Sequence, residues 1–261
     1  MPALFVRFLS VTLLLACSLP SWAALSHAEA VNVAGMQRFL SQRMAKSYLM
    51  LAGEIRAEQA REQLHSSQQR FAENLQALRA YAGNPAQVAL LETQENLWQT
   101  YQALLQQAPA QATARQVVVH SQQVLANAEQ LVNRVEQDSN LHAAHLINRS
   151  GRQRMLSQRI ALLYLAQSQG ITPPDLQDQL QRSIDEFDQA LQELQGASQN
   201  TPAISELLRK SGSHWRYSRS GFALAENGRY VPTVISVTSE TLFQQMVSLT
   251  DAYTEVLGKP R

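Results

Sequence analysis

The sequence predicts an all-α protein of two tandem four-helix bundle modules. The first observation is an internal repeat, in which residues 31–49 (VNVAGMQRFLSQRMAKSYL) match residues 147–165 (INRSGRQRMLSQRIALLYL) at an offset of 116. The second is composition: Gly and Pro are scarce, aromatics make up 7%, and Gln and Ala are abundant, as is typical of helical proteins. A dense repeat at one offset indicates a duplicated structural unit.

The first module is predicted to take residues 24–110 together with a fourth helix over 111–140. Its motif helix runs from about Ala28 to Gly53, and further helices follow over 60–82 and 86–107. The run Gly83-Asn84-Pro85 separates the last two, because Gly and Pro both end helices. The fourth helix begins near Arg115, after a linker over 108–113.

The connection between the modules has two possible forms. No helix breaker lies between Arg115 and Gly151, so one central helix from about 113 to 168 would extend for about 80 Å at 1.5 Å per residue. A kink at Gly151 would instead fold the modules side by side. The sequence leaves both arrangements open.

The second module, residues 141–261, repeats the pattern of the first. Breaks at 170–174 and 196–202 separate helices over 175–195 and 203–226, and a last helix follows Pro232 to about Leu257. Trp98 and Trp215 lie at nearly the same offset as the motif, so the duplication extends beyond it. We expect both indoles to anchor the bundle cores.

Each motif helix carries two faces. One is an apolar stripe that should pack into a core: Val33, Leu40, Met44 and Leu51. On roughly the opposite side lie Gly35, Arg38 and Gln42, at helical spacing. A helical Gly costs about 1 kcal/mol relative to Ala, which suggests that a helix or a ligand approaches the backbone closely there. An Arg beside such a gap offers a planar fork of donors suited to a small oxyanion.

For a single copy, a solvated polar face with a helix-packing Gly would be the simpler interpretation. The duplication favours a functional or specific interface role, because solvated faces drift and these positions have stayed in register. The repeated positions are Asn32, Gly35, Arg38, Ser41, Gln42 and Arg43 in the first copy, and Asn148, Gly151, Arg154, Ser157, Gln158 and Arg159 in the second.

The pattern N-x-A-G-x-x-R-M-x-S-x-R resembles the signature of the type IV pili methyl-accepting chemotaxis transducer N-terminal domain, the PilJ-type domain. It is also similar to the periplasmic sensor domain of nitrate/nitrite sensor kinases. Phe39 replaces the Met of the pattern in the first copy, and Ser150 replaces the Ala in the second. The resemblance implies periplasmic four-helix bundles that hold nitrate or nitrite between two motif helices. Carried over by position, it implicates Gly35, Arg38, Gly151 and Arg154 as ligand-binding residues, with the other repeated positions in support.

Residues 1–23 have the features of a signal peptide: Arg7, an apolar core over 8–15, and a small-x-small site ending at Ala23. The apolar run is shorter than the about 20 residues that span a bilayer. The run Leu14-Leu15-Ala16-Cys17 resembles a lipobox, with Leu15 departing from it, so lipid anchoring through Cys17 is the alternative. Either route predicts a periplasmic protein.

Several function classes are not expected. A net charge of +1 without a basic cluster argues against nucleic acid as a partner. The sequence lacks a phosphate loop, a nucleophile elbow and a paired acid and base, so neither catalysis nor a cofactor is predicted. His142 and His145 lack a third ligand for a metal. The acidic residues Asp185, Glu186 and Asp188 are predicted to form a solvated face.

These observations predict an exported sensor of a small oxyanion, most simply nitrate or nitrite. Two motif helices, from the two halves of one chain or from a homodimer, would bring their Gly faces together so that two Arg share one anion. Receptors and kinases of this type continue into a membrane helix and a cytoplasmic output, whereas this sequence ends at Arg261. A membrane receptor or sensor kinase is therefore the expected partner. The competing prediction is a structural or protein-interaction module with no small-molecule ligand.

Overall fold

A computed structural model describes residues 25–140, 144–171, 175–226 and 231–257. In these residues the chain forms eight α-helices and no strand, which confirms the predicted all-α fold. The helices are α1 (His27–Ala52), α2 (Ala57–Tyr81), α3 (Pro85–Leu105), α4 (Gln111–Asp138), α5 (Ala144–Ser168), α6 (Leu176–Gln195), α7 (Pro202–Glu226) and α8 (Pro232–Leu257). The predicted signal peptide, with Cys17, lies outside the described residues, as does His142.

Local sequence explains where two of these helices begin. Ser26 and Glu29 form a reciprocal capping box at the start of α1, which satisfies two backbone donors that a helix start leaves free. The Asn84 side chain accepts from the backbone N–H of Gln87 at the start of α3, and Pro85 follows at the first helical position, where its missing N–H costs nothing.

Helices α1–α4 form one bundle and α5–α8 a second, and the two bundles pack side by side through α1 and α5. The two motif helices run parallel. Near their N-termini Arg38 Nη2 donates to the Asn148 carbonyl at 3.2 Å, and near their C-termini Gln169 Nε2 donates to the Leu49 carbonyl at 2.9 Å. The repeats are therefore related by an approximate two-fold axis along α1 and α5.

The two modules do not share one central helix. Helix α4 ends at Asp138, Asn140 has a positive φ of 51°, and α5 begins at Ala144. Gly151 lies inside α5, so the break between the two modules does not fall there. Asn adopts the left-handed conformation more readily than most residues, and its position between the bundles permits the side-by-side arrangement.

The cores of both bundles repeat the same aromatic contact. Phe71 packs on Trp98 at a centroid distance of 4.6 Å, and Phe187 packs on Trp215 at 4.3 Å. Both indoles are buried, in agreement with the prediction that they anchor the core. Among the helices described, none combines the length and the apolar character required to span a bilayer.

Candidate functional site

The structure brings the first Arg of each motif copy together with both Gly residues at the contact between α1 and α5. Arg38 and Arg154, here called the arginine pair, are each 0% exposed. A Cβ built on Gly151 would lie 3.5 Å from the Nη2 atom of both side chains. One built on Gly35 would lie 3.3 Å from Arg38 Nη2 and 3.8 Å from Arg154 Nη2. Both guanidinium groups therefore point at the same small region beside the two Gly backbones.

The arginine pair also links the two helices reciprocally. Arg38 Nη2 donates to the Asn148 carbonyl of α5. Arg154 Nη2 donates to the Asn32 side-chain oxygen at 2.9 Å and to its carbonyl at 3.4 Å. Two Asn residues at equivalent motif positions thus accept hydrogen bonds from the opposite copy. These bonds fix how α1 and α5 align.

The members of the arginine pair differ in counter-ion. Arg38 Nη1 lies 3.0 Å from Glu129 Oε2, and the other oxygen of Glu129 lies 2.6 Å from Arg152 Nη1. Arg152 is also ion-paired with Glu186. Arg154 forms no ion pair with any described residue, and its Nε and Nη1 atoms, like Nε of Arg38, are buried without a hydrogen-bond partner. The site therefore holds one buried guanidinium whose charge no carboxylate contacts.

Two weaker contacts moderate the charge on Arg154. Its guanidinium carbon lies 5.2 Å from the ring centroid of Phe39, within cation–π range. Asp251 interacts with it at longer range and bonds at 3.4 Å to the Asn32 amide that lies between them. Phe39 is the motif position at which the first copy departs from the family pattern, and this residue contacts Arg154 of the second copy.

Burial dominates the electrostatics of the arginine pair. Desolvation lowers the pKa of Arg154 to about 10; Asp251 opposes the shift, and the nearby charge of Arg38 adds to it. Desolvation also lowers the pKa of Arg38, although Glu129 opposes it. Burial alone would raise the pKa of Glu129, but Arg38 and Arg152 together hold it below its ordinary value. The two cations disfavour each other's charged form.

The repeat shows why Arg154 lacks a carboxylate. Gln42 donates to the Ser121 carbonyl of α4, and its twin Gln158 donates to the Ser239 carbonyl of α8. Helices α4 and α8 therefore correspond at an offset of 118. At that offset the residue equivalent to Glu129 is Val247.

The supporting motif residues brace the arginine pair. The Ser41 and Ser157 hydroxyls donate to the backbone carbonyls of Arg38 and Arg154, at 2.7 and 2.8 Å. The two Gln side chains reach α4 and α8, as described above. These contacts hold the motif helices in their bundles and do not reach the region beside the Gly residues.

The second Arg of each motif copy shows the same asymmetry of charge. Arg43 Nη2 lies 2.8 Å from Glu240 Oε1, and the buried Lys46 lies 3.4 Å from the other oxygen of Glu240. Its twin Arg159 donates only to neutral oxygens, those of Gln42, Gln122, Gln179 and Ser183. At the offset between α4 and α8, Gln122 is the residue equivalent to Glu240.

Two sequence expectations need correction. Leu40 and Met44 of the predicted core stripe are buried, but Val33 and Leu51 are only partly buried, because the face that holds Arg38 and Gln42 is the one buried against the neighbouring helices. The acidic cluster is not a solvated face: Glu186 pairs with Arg152, and Asp188 accepts from the Trp215 indole at 2.6 Å and pairs with Arg219. Only Asp185 is exposed.

A cleft of about 870 Å³ lies beside the arginine pair, between α4, α5 and the end of α6. Glu129 and Asn148 line this large cleft and also contact Arg38. They therefore separate the cleft from the arginine pair. Sequence reasoning missed Glu129 and Arg152, because their roles depend on contacts between helices that are distant in the chain.

Metal binding has no support within the described residues. No group of three or more His, Cys, Asp or Glu side chains there could hold a metal ion. His145 lines the large cleft.

The family comparison agrees with the repeat. The model of the type IV pili methyl-accepting chemotaxis transducer N-terminal domain, PilJ, matches residues 20–134 and again residues 137–224. No curated protein and no solved structure gives a significant match. PilJ domains are sensory and signalling modules, typically periplasmic, and not catalytic ones. The two matches cover most of the sequence, so the chain belongs to the PilJ family and carries two tandem copies of its domain.

Proposed function

We propose that this protein senses a small univalent oxyanion, with nitrate and nitrite as the lead candidates, between Arg38 and Arg154. The observation that carries the proposal is the unmatched charge of Arg154 together with three buried guanidinium nitrogens that lack partners. Buried donors and charges without partners are costly. Of the three cations Arg38, Arg152 and Arg154, the first two contact two carboxylates directly, those of Glu129 and Glu186, while Asp251 and Glu136 act only at longer range. This local cluster of three cations and two carboxylates therefore has one net positive charge, which one univalent anion would neutralise.

The two Gly residues favour a ligand over simple helix packing. In this structure a Cβ at Gly35 or Gly151 would meet mainly guanidinium nitrogens, at 3.3–3.8 Å, and no backbone of the opposite helix. A methyl group at these positions would therefore require at most a small shift of the Arg38 side chain. A Gly that helix packing does not require, beside two cations, is consistent with space kept for an anion.

The mechanism we propose is a change in the contact between α1 and α5. Without an anion the two guanidinium groups repel each other, and with one they share a counter-ion. An anion that binds better to the closer arrangement shifts the equilibrium towards it. Because both motif copies meet within one chain, the proposed site needs no homodimer.

The cellular setting follows from the sequence and the family. We propose that residues 1–23 direct export, with cleavage after Ala23, or lipidation of Cys17, producing a periplasmic protein. The output would pass through a membrane receptor or sensor kinase, because PilJ domains belong to chemotaxis transducers.

A structural role is the second candidate, because a specific observation favours it. The reciprocal bonds from Arg38 to Asn148 and from Arg154 to Asn32 already join the two bundles without any ligand. On that account the arginine pair only joins the two bundles and binds no small molecule.

The double substitution Arg38→Ala/Arg154→Ala separates the two candidates. The test compares the affinity of the variant and the wild type for nitrate and nitrite by calorimetry, and their bundle integrity by circular dichroism and sedimentation. Sensing predicts loss of anion binding while helicity is retained. Loss of folded assembly, in a protein whose wild type shows no anion binding, would establish docking instead.

A further inference from the structure

A smaller cleft of about 380 Å³ lies between α4, α5 and α6, and neither member of the arginine pair lines it. Its volume is sufficient for a small organic molecule. Leu125, Met155 and Leu156 supply an apolar part of the wall, and Arg159 and Arg182 supply positive charge beside it. The cleft therefore combines an apolar surface with two guanidinium groups.

The charges that line this small cleft do not balance. Glu129 and Glu186 also line it, but both are ion-paired with Arg152. Arg159 donates only to neutral oxygens. Arg182 is exposed, and among the described residues it has no ion-pair partner. Partial burial lowers the pKa of Arg159 to about 10. The charges of Arg152 and Arg182 add to this shift, and that of Glu186 opposes it.

The other half of the chain shows the same arrangement with a carboxylate in it. Arg43, the twin of Arg159, pairs with Glu240, which it shares with Lys46, whereas Arg159 meets Gln122 at the equivalent position. Ser66 occupies the position equivalent to Arg182. Lys46, whose equivalent in the second half is Leu162, also pairs with Glu240, so each half places two cations here. Only the first half has a carboxylate between its two cations, and in the second half both cations line a cleft.

We propose that the small cleft is a second anion site, which binds a small organic carboxylate with an apolar tail. The carboxylate pairs with Arg159 and Arg182, and the tail packs on Leu125, Met155 and Leu156. Such a ligand satisfies both features of the cleft, whereas an inorganic anion satisfies only the charge. Charge-assisted bonds to guanidinium provide the orientation.

The probe is benzoate, titrated calorimetrically into the purified protein, with acetate lacking the tail and benzyl alcohol lacking the charge. The decisive variant is Gln122→Glu, which gives Arg159 the carboxylate that Glu240 gives Arg43. Arg182→Gln is the second variant, and its exposed position keeps folding intact. The control is Arg154→Met, which changes the arginine pair alone.

We expect saturable benzoate binding to the wild type, weaker acetate binding and none for benzyl alcohol. Each small-cleft variant weakens benzoate by about tenfold or more, as expected for a lost charge-assisted bond, and Arg154→Met leaves it unchanged. Absence of saturable benzoate binding to the wild type, or full affinity in both small-cleft variants, overturns the proposal. Nitrate binding is expected to persist in Gln122→Glu and Arg182→Gln and to be lost in Arg154→Met, so failure of one site is distinguishable from failure of the other.

Discussion

The Gly residues beside the arginine pair offer a test that separates stability from binding. The double substitution Gly35→Ala/Gly151→Ala replaces two helix-interior Gly residues, each worth up to about 1 kcal/mol of helix stability when changed to Ala. The new Cβ at Gly151 would have ordinary van der Waals contacts at 3.5 Å, and the one at Gly35 would require Arg38 Nη2 to move by a few tenths of an ångström from 3.3 Å. The expected net gain is therefore about 1 kcal/mol.

In a protein of this size, 1 kcal/mol corresponds to a rise in Tm of about 2–4 °C. The two new methyl groups would occupy the space that we assign to the anion, so the ligand-free protein should melt higher while nitrate no longer raises its Tm. The matched control is Gly212→Ala in α7, where a Cβ would also meet a side chain, Gln195, at 3.3 Å. That control should gain stability and keep the response to nitrate. A double variant that still binds nitrate with wild-type affinity would refute the reasoning.

Three further predictions concern buried charge. Arg154→Met should leave the stability of the ligand-free protein unchanged or raise it, because it removes a buried charge that has no ion pair. Arg38→Met should lower the stability, because it deprives Glu129 of a partner. Urea denaturation measures both effects, and a greater loss of stability in Arg154→Met than in Arg38→Met would contradict the assignment. Val247→Glu should raise the stability of the protein and abolish nitrate binding, since it gives Arg154 from α8 the carboxylate that Glu129 gives Arg38 from α4. An unchanged calorimetric affinity for nitrate would count against this prediction. Burial lowers the pKa of Lys46 from 10.5 to about 8, while Glu240 opposes the shift. Between these two pH values the unfolded chain binds more protons than the folded one, so the free energy of unfolding should rise from pH 8 towards pH 10.5, relative to that of Lys46→Leu. Parallel pH profiles of stability for the two proteins would contradict this prediction.

The sequence alone could predict the repeat, the helices and the shared position of Gly and Arg on the motif helices. Those features depend on local spacing and on one comparison of the chain with itself. It could not decide how the two modules connect, because Asn140 takes its positive φ without a Gly or Pro to announce a break. The choice between a continuous central helix and a kink at Gly151 was therefore left open, and the structure shows a break after α4 instead.

The charge balance of the site was also beyond sequence reasoning. Glu129 is one polar residue on an amphipathic helix, and its role depends on which face of α4 meets Arg38. The absence of a carboxylate at Val247 becomes meaningful only once the contacts of Gln42 and Gln158 align α4 with α8. The role of Glu129 and the lack of a carboxylate at Val247 both depend on which helices pack together. Periodicity within a single helix carries no information about that packing.

Calorimetric titration of the purified protein with nitrate and nitrite, beside chloride and sulfate, tests the central claim most directly. The account predicts saturable binding of nitrate or nitrite, with one anion per chain because both motif copies form a single site. It predicts weaker binding of divalent sulfate, because the local cluster offers one net positive charge. Flat titrations for nitrate and nitrite on a folded, helical sample would contradict it.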